Sequence, residues 1–169
     1  MTVMSTIDKK LSPLLFESDA SNVENTVMGW LESGFTTRVV RGRKMRTTSD
    51  LFNEFSAALQ FPRYFGENWA AFDECLSEPE SLPPGKGYII VVTEPNEVLA
   101  EEETRLFDIF AESLTSAAQV FGESIELGES WDRAAVAFHV VLAGDPDSLA
   151  VAARRWSDAG VVTNPFTFD

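Results

Sequence analysis

The side chains best suited to chemistry are concentrated in one segment, FPRYFGENWAAFDECL at positions 61–76. On a helical wheel of about 100° per residue, the apolar side chains of its second half fall on one side, opposite Glu74. This part of the segment is therefore predicted to form a helix that buries aromatic residues and displays carboxylates. Tyr64, Phe65 and Gly66 directly precede this helix. Its acidic face would therefore lie beside aromatic side chains and beside a glycine backbone that no side chain covers. Aromatic residues beside acids are typical of protein-binding surfaces.

The same pattern also has a purely structural interpretation. Amphipathic helices with acidic outer faces are common, and Tyr64 or Phe65 could simply anchor the loop to the core. Asp73 lies at the border between the two faces of the helix, and Glu78 lies beside Glu74. Periodicity alone leaves both interpretations open.

Candidates for catalysis are few. A nucleophilic enzyme needs a nucleophile, a base and an orienting group, but the single histidine, His139, lies inside an apolar strand-like run, and Cys75 lies on the apolar side of its helix. Both positions favour packing, and a small hydrolase that uses Cys75 or His139 stays as an alternative. The run PGKG at 84–87 lacks parts of a phosphate-binding loop, and the carboxylates lack the spacing of a metal cage. We therefore expect no catalytic residue, no metal ion and no cofactor.

The elements that must position this segment alternate along the chain. Short β-branched runs predict strands over 36–40 and 88–93, and a mainly apolar run predicts another buried strand over 134–142. Apolar residues at helical spacing predict five helices: 21–34, a helix capped by Ser49 or Asp50 that ends before Pro62, 68–77, 106–121 and 149–156. Ser21 and Glu24 form the capping box of the first helix, and Gly34 stops it. Strands separated by helices imply parallel pairing, and hence a small α/β sheet.

Two charged stretches and the tryptophans near the two ends of the chain lie outside this segment. The turn after the first strand is basic, with Arg41, Arg43, Lys44 and Arg46, whereas the run at 101–103 is acidic and predicts a solvated helix start. Trp30 and Trp156 lie near the two ends of the chain. We expect both to pack on the core rather than to form a dimer contact.

Composition narrows the classes of function. Asp and Glu outnumber Lys and Arg by 27 to 13 over 169 residues, giving a formal charge of −14 and an isoelectric point near 4.4. This argues against nucleic-acid binding through phosphate neutralisation and favours a basic partner. No apolar run is long enough to cross a membrane, and no signal peptide is evident. A single cysteine suits a reducing compartment, so we expect the cytoplasm.

The pattern YFGxNWxAFxECL at positions 64–76 resembles the signature of the barstar family, intracellular protein inhibitors of secreted ribonucleases such as barnase. The order of predicted elements from about 36 to 143 resembles that family as well. The resemblance implies a barstar-like α/β core over 36–143, with a small three-stranded parallel sheet packed by helices. The chain is then a single domain, 1–169, with an N-terminal extension over 1–35 that contains a helix and a C-terminal helical extension over 144–169.

The resemblance also implies a mechanism. In this family a loop and the following helix plug the ribonuclease active site, and an acidic side chain takes the place of an RNA phosphate; Glu74 matches that side chain. Gly66 would let the backbone approach closely, and Asn68 would hold the entry to the helix. The candidate partner-binding residues are Tyr64, Phe65, Gly66, Asn68, Asp73 and Glu74. The implied partner is a basic ribonuclease or toxin bound one to one, with no role for nucleic acid or membrane.

Two positions depart from the type member of the family. Ala70 stands where that protein has a further acid, and Asp73 stands where it has an aromatic residue. The acidic charge is thus redistributed along the helix, which is compatible with a different toxin. A second hypothesis keeps the fold and changes the task to an immunity or regulatory module for a basic protein that is not a ribonuclease.

Overall fold

The computed structural model describes residues 3–79 and 81–167, and within them five strands form one sheet. The strands are β1 (Leu14–Glu17), β2 (Thr36–Arg41), β3 (Gly87–Thr93), β4 (Ala137–Gly144) and β5 (Asn164–Pro165). Their order is β2-β3-β4-β1-β5, and every neighbouring pair is parallel. The α/β class is confirmed, but the prediction of a three-stranded sheet is wrong because each end of the chain adds a strand.

The two additional strands are short, which explains why the sequence pattern does not reveal them. β1 has four residues and lies in the sheet between β4 and β5, with Leu14 aligned to Val141 and Phe16 to Ala143. β5 has two residues and includes Pro165, which cannot donate a hydrogen bond to the ladder and therefore suits an edge. The terminal segments thus extend the sheet as well as adding helices.

Five α-helices connect and cover the strands within the described residues. They are α1 (Ala20–Glu32), α2 (Thr48–Leu59), α3 (Trp69–Ser77), α4 (Thr104–Phe121) and α5 (Pro146–Asp158). The predicted stop at Gly34 is confirmed by its φ of 97°. The predicted caps of the first two helices are wrong, because Asp19 and Thr47 cap α1 and α2 through their side chains. Asp19 lies two residues before the predicted Ser21, and Thr47 lies two or three residues before the predicted Ser49 or Asp50.

The sheet separates two apolar clusters. The larger cluster contains buried side chains of α2, α3, α4 and α5, including Trp156, while the smaller one lies under α1 and includes Met4, Phe16 and Trp30. Trp30 and Trp156 are buried to 1% and 2% exposure. The expectation that both tryptophans pack on the core is confirmed, and the terminal segments are part of the apolar interior.

The basic turn after β2 is neutralised by glutamates. Arg41 binds Glu54 with an N–O distance of 2.7 Å. Further along the turn, Arg46 lies 2.8 Å from Glu97 and 3.3 Å from Glu101.

The acidic run at 101–103 takes part in this arrangement. Besides the ion pair of Glu101, the Glu102 carboxylate accepts a hydrogen bond from the Thr48 backbone N–H at the start of α2. The predicted solvated helix start is confirmed, because Glu101 and Glu103 are exposed and Glu103 is the N-cap of α4. In addition, the run ties this loop to the beginning of α2.

None of the helices in the described part of the chain is both long and apolar enough to cross a membrane. Over the same residues, no group of three or more His, Cys, Asp or Glu side chains is placed to hold a metal ion.

Candidate partner-binding site

Asn68 fixes the start of α3. Its Oδ1 accepts a hydrogen bond from the Ala71 N–H at 2.9 Å, as the predicted cap requires, and its Nδ2 donates to the Gly66 carbonyl at 3.1 Å. One amide side chain therefore holds both the first turn of the helix and the loop before it. The predicted cap and the predicted end of the helix at Ser77 are confirmed.

The backbone of the α2–α3 loop, residues 60–68, turns at Glu67 rather than at Gly66. Glu67 has a φ of 49°, in the left-handed region, whereas Gly66 does not have a positive φ. A Cβ on Gly66 would lie 3.1 Å from the Nδ2 of Asn68. The glycine therefore leaves space for the capping amide, a role that the sequence pattern alone does not indicate.

The two aromatic residues of the loop have different surroundings. Phe65 is half-buried, and its ring makes edge contacts with Phe52 of α2 at 5.6 Å and with Phe61 at 5.1 Å between ring centroids. Tyr64 is 72% exposed. Phe65 thus anchors the loop, as the structural interpretation expects, while Tyr64 lies exposed on its surface.

The core side of α3 is held by a cluster of aromatic rings. Phe72 is fully buried and lies 5.1 Å from Phe55, and Trp69 lies 5.0 Å from Phe52 between centroids. Edge-to-face pairs of this kind add to the stabilisation from burial. The opposite side of α3 is consequently fixed in position with respect to the sheet.

That opposite side carries exposed acids. Asp73, Glu74 and Glu78 are all exposed. Glu74 in the last turn of α3 and Glu78 at its C-cap border a small cleft of about 70 Å³ together with Tyr64 and Phe65. Asp73 does not line the cleft. The structure therefore brings Tyr64, Phe65 and Glu74 together, places Gly66 and Asn68 at the helix entry and leaves Asp73 on the neighbouring surface.

Glu78 is the acid that the sequence-based list of candidates omits. Its position in the sequence, one helical turn after Glu74, is the signal from which it could have been predicted as a candidate. Among the described residues, the glutamates in ion pairs are Glu54, Glu94, Glu97 and Glu101, which all bind arginines of the basic turn. The acids of α3 are absent from these pairs.

The acids of α3 are not explained by helix stability. Glu74 and Glu78 lie in the last turn and at the C-cap, where the helix dipole disfavours negative charge. Like charges four residues apart repel each other as well. Both effects lower stability, so the arrangement is more consistent with a task at the surface than with a role in folding.

Cys75 and His139 lie on opposite sides of the sheet. Cys75 is 8% exposed on α3, whose Phe72 and Leu76 belong to the larger apolar cluster. His139 faces the other side, where its Nε2 lies 3.0 Å from the Met4 carbonyl. Burial lowers the pKa of His139, and the bond to Met4 opposes this effect only in part. The placement separates the two side chains that a Cys–His nucleophile would need to bring together.

Known proteins provide a comparison for this arrangement. Among solved structures, the chain is similar to the crystal structure of Cdc6p from Pyrobaculum aerophilum, with a TM-score of 0.47 and 12% identity over 90% of this chain. The chain spans 38% of the length of that protein. The search of curated proteins finds no match.

The family comparison covers the candidate site. The model of the family described as barstar (barnase inhibitor) matches residues 35–143. This match takes in more than half of the chain, from the residue before β2 to the penultimate residue of β4, and includes the α2–α3 loop and α3. The chain belongs to the barstar family.

Proposed function

We propose that this protein inhibits a basic ribonuclease by placing the α2–α3 loop and the acidic side of α3 in the enzyme's active site. The observation that carries the proposal is the position of Glu74. It is an exposed carboxylate beside Tyr64, on a helix whose other side is fixed in the core. Membership of the barstar family supports the same function.

The chemistry of inhibition follows from the charges. A ribonuclease cleft gathers cationic side chains around the scissile phosphate, and a carboxylate can accept the same charge-assisted hydrogen bonds. In this proposal Glu74 takes the position of the phosphate, and Asp73 and Glu78 extend the negative surface around it. The helix offers no P–O bond to break, so the enzyme is blocked rather than supplied with a substrate.

Preorganisation favours tight binding. Ordering a loop at an interface costs free energy on association. Here the Asn68 amide and the Phe65 ring already hold the loop in the unbound protein. In the proposed assignment Gly66 and Asn68 maintain this shape, while Tyr64 and Glu74 contact the enzyme.

The proposal includes a division of the chain and a location. Residues 36–143 supply the inhibitory surface, and the terminal segments 1–35 and 144–169 complete the sheet of a single domain. The complex has one inhibitor per enzyme, because a single inhibitory surface fills one active-site cleft. An inhibitor that protects its host from a ribonuclease acts where host RNA is, in the cytoplasm.

The test is inhibition of barnase, and of a barnase-type ribonuclease from the same genome, by the wild-type protein and by Glu74→Ala. We expect stoichiometric inhibition by the wild type and a loss of affinity of about 100-fold or more in the variant, because the cationic groups of the enzyme lose their partner. Glu74→Ala should keep or slightly increase thermal stability, since it removes a charge that the helix dipole disfavours.

The matched control is Glu32→Ala, which removes one exposed glutamate at the end of α1, on the other side of the sheet. It should inhibit like the wild type. Inhibition that survives Glu74→Ala would move the binding centre away from Glu74. Failure of the wild type to inhibit either ribonuclease would contradict the proposal and favour a basic partner of another class.

A further inference from the structure

The long connection between α4 and β4 is built as a fixed structure. In this α4–β4 loop, residues 122–136, Ile125 and Arg133 exchange backbone hydrogen bonds of 2.8 and 3.1 Å. The carboxylate of Asp132 accepts hydrogen bonds from the N–H groups of Leu127 and Gly128, at 3.0 and 2.7 Å. The loop therefore has a defined shape before any partner arrives.

Arg133 holds the base of the loop. Its guanidinium donates to the Val120 carbonyl at 2.8 Å and to the Glu123 carbonyl at 3.3 Å, and it lies over the Phe121 ring at 5.2 Å. Its charge is therefore engaged with the end of α4 and the turn after it. The exposed charges that the loop presents are acidic, namely Glu123, Glu126, Glu129 and Asp132.

This fixed loop exposes two large apolar side chains. Leu127 is 70% exposed and Trp131 is 61% exposed. Trp131 borders a cleft of about 730 Å³ whose lining is mainly apolar and includes Pro79, Pro84 and Phe121. Exposed aromatic side chains next to an apolar cleft are the usual anchors of protein interfaces.

The cleft adjoins the candidate inhibitory site, with which it shares the lining residue Glu78. Ser77 and Glu78, at the end of α3, line it, and Glu78 also borders the small cleft of Tyr64 and Glu74. The acids of the loop have the same sign as those of α3, so both surfaces are complementary to the same basic protein. No motif in the sequence marks this site, because only the fold brings Trp131 and Glu78 to the same cleft.

We propose that the α4–β4 loop is a second contact for the ribonuclease that α3 inhibits, with Trp131 and its cleft receiving an apolar or aromatic side chain of the enzyme. This inference rests on the proposed function. The two contacts contribute to binding in different ways. The acids of α3 pair with charges in the active site, while the α4–β4 loop buries apolar surface beside it. An enzyme surface that combines a cationic cleft with a neighbouring apolar side chain is the expected partner.

The test uses the full chain and barnase or the barnase-type ribonuclease of the same genome. We expect Trp131→Ala to weaken inhibition about tenfold to a hundredfold, as for an aromatic interface anchor, and Leu127→Ala to weaken it less. The control is Met28→Ala, an apolar side chain of 54% exposure on α1, on the other side of the sheet. It should leave inhibition unchanged, and all three variants should unfold at the wild-type temperature.

Fluorescence gives an independent measurement in the wild-type protein. Trp30 and Trp156 are buried and Trp69 is half-buried, so Trp131 is the tryptophan most accessible to a soluble quencher. Saturating ribonuclease should reduce quenching by acrylamide, and the reduction should be absent in Trp131→Phe. A partner with its own tryptophans requires subtraction of its signal.

The outcomes separate this inference from the proposed function. Full inhibition by Trp131→Ala, together with loss of inhibition in Glu74→Ala, would overturn the second contact and leave the inhibitor proposal standing. Weakened inhibition in both variants supports both. If the wild-type protein inhibits neither ribonuclease, both proposals fall.

Discussion

At the scale of single residues, Asn68 has two separable functions. Its Oδ1 caps α3 and its Nδ2 holds the Gly66 carbonyl. The two hydrogen bonds use different atoms of the amide group. A substitution that keeps the oxygen and replaces the nitrogen therefore removes one bond without the other. The geometry of the α2–α3 loop can therefore be tested separately from the stability of the helix.

We expect Asn68→Ala to lower the free energy of unfolding by about 1 kcal/mol, since an N-cap side chain is lost. Asn68→Asp keeps an acceptor for the Ala71 N–H and should stay close to the wild type in stability. Asn68→Asp lacks the N–H donor to the Gly66 carbonyl, so the α2–α3 loop is held less firmly. This variant should therefore inhibit the ribonuclease more weakly. Urea denaturation and inhibition assays on both variants measure the two effects, and equal destabilisation by both would contradict the assignment.

His139 is the only histidine of the chain, so its titration can be followed without overlap. Because burial lowers its pKa, the imidazole signals in proton NMR should titrate with a midpoint below the ordinary value of about 6.5. A midpoint at or above that value would show that the ring is not buried as described.

The same pKa has a consequence for stability. The unfolded chain binds a proton at His139 near pH 6.5, and the folded chain does so only at lower pH. The contribution of this group to stability is therefore present above about pH 6.5 and is lost as the pH falls through the lowered pKa. His139→Gln, which does not titrate, should show a weaker decline of stability over that range.

At the scale of secondary structure, β1 is the element whose importance exceeds its length. Its Phe16 is 7% exposed and contacts Phe166 edge-on at 5.6 Å. It belongs to the cluster that joins both ends of the chain to the sheet.

We expect Phe16→Ala to lower the free energy of unfolding by about 3–5 kcal/mol, because it leaves a cavity in that cluster. Leu31→Ala, on the exposed side of α1, is the control and should change it by less than about 0.5 kcal/mol. Chemical denaturation compares the two. A small effect of Phe16→Ala would mean that the terminal strands contribute little to the stability of the fold.

The sequence predicts the elements whose signals are local. The strands β2 and β3 are rich in β-branched residues, β4 is a mainly apolar run, and α3 has both its cap and its apolar spacing within ten residues. In contrast, β1 and β5 are stabilised by pairing with strands distant in the sequence, which periodicity cannot show. The exposure of the α3 acids follows from the same local helical spacing. In contrast, the left-handed backbone conformation of Glu67 and the cleft beside Trp131 depend on the surrounding fold.

At the scale of the whole molecule, the charge of −14 controls how a partner is approached. The positive turn after β2 is compensated by Glu54, Glu94, Glu97 and Glu101, so it does not interrupt the negative field strongly. A basic enzyme is attracted from a distance set by the ionic strength, about 30 Å at 0.01 M and about 8 Å at 0.15 M.

We therefore expect the association rate with a basic ribonuclease to fall at least about tenfold between those ionic strengths. The dissociation rate should change much less, because it depends on short-range contacts. Stopped-flow mixing at several salt concentrations measures the first rate, and competition with excess inactive enzyme measures the second. An association rate independent of salt would contradict electrostatic attraction.

The position of β1 in the sheet also determines when the protein can be completed during synthesis. β1 is made first, yet it lies between β4 and β5, and the Ser12 hydroxyl binds the Val162 carbonyl 150 positions away. At about 5–20 residues per second, β1 waits on the order of ten seconds for β4. Closing so long a loop also slows folding. The nascent chain therefore carries an unpaired apolar strand until β4 and β5 have been synthesised, and chaperones that bind such strands can act during that interval.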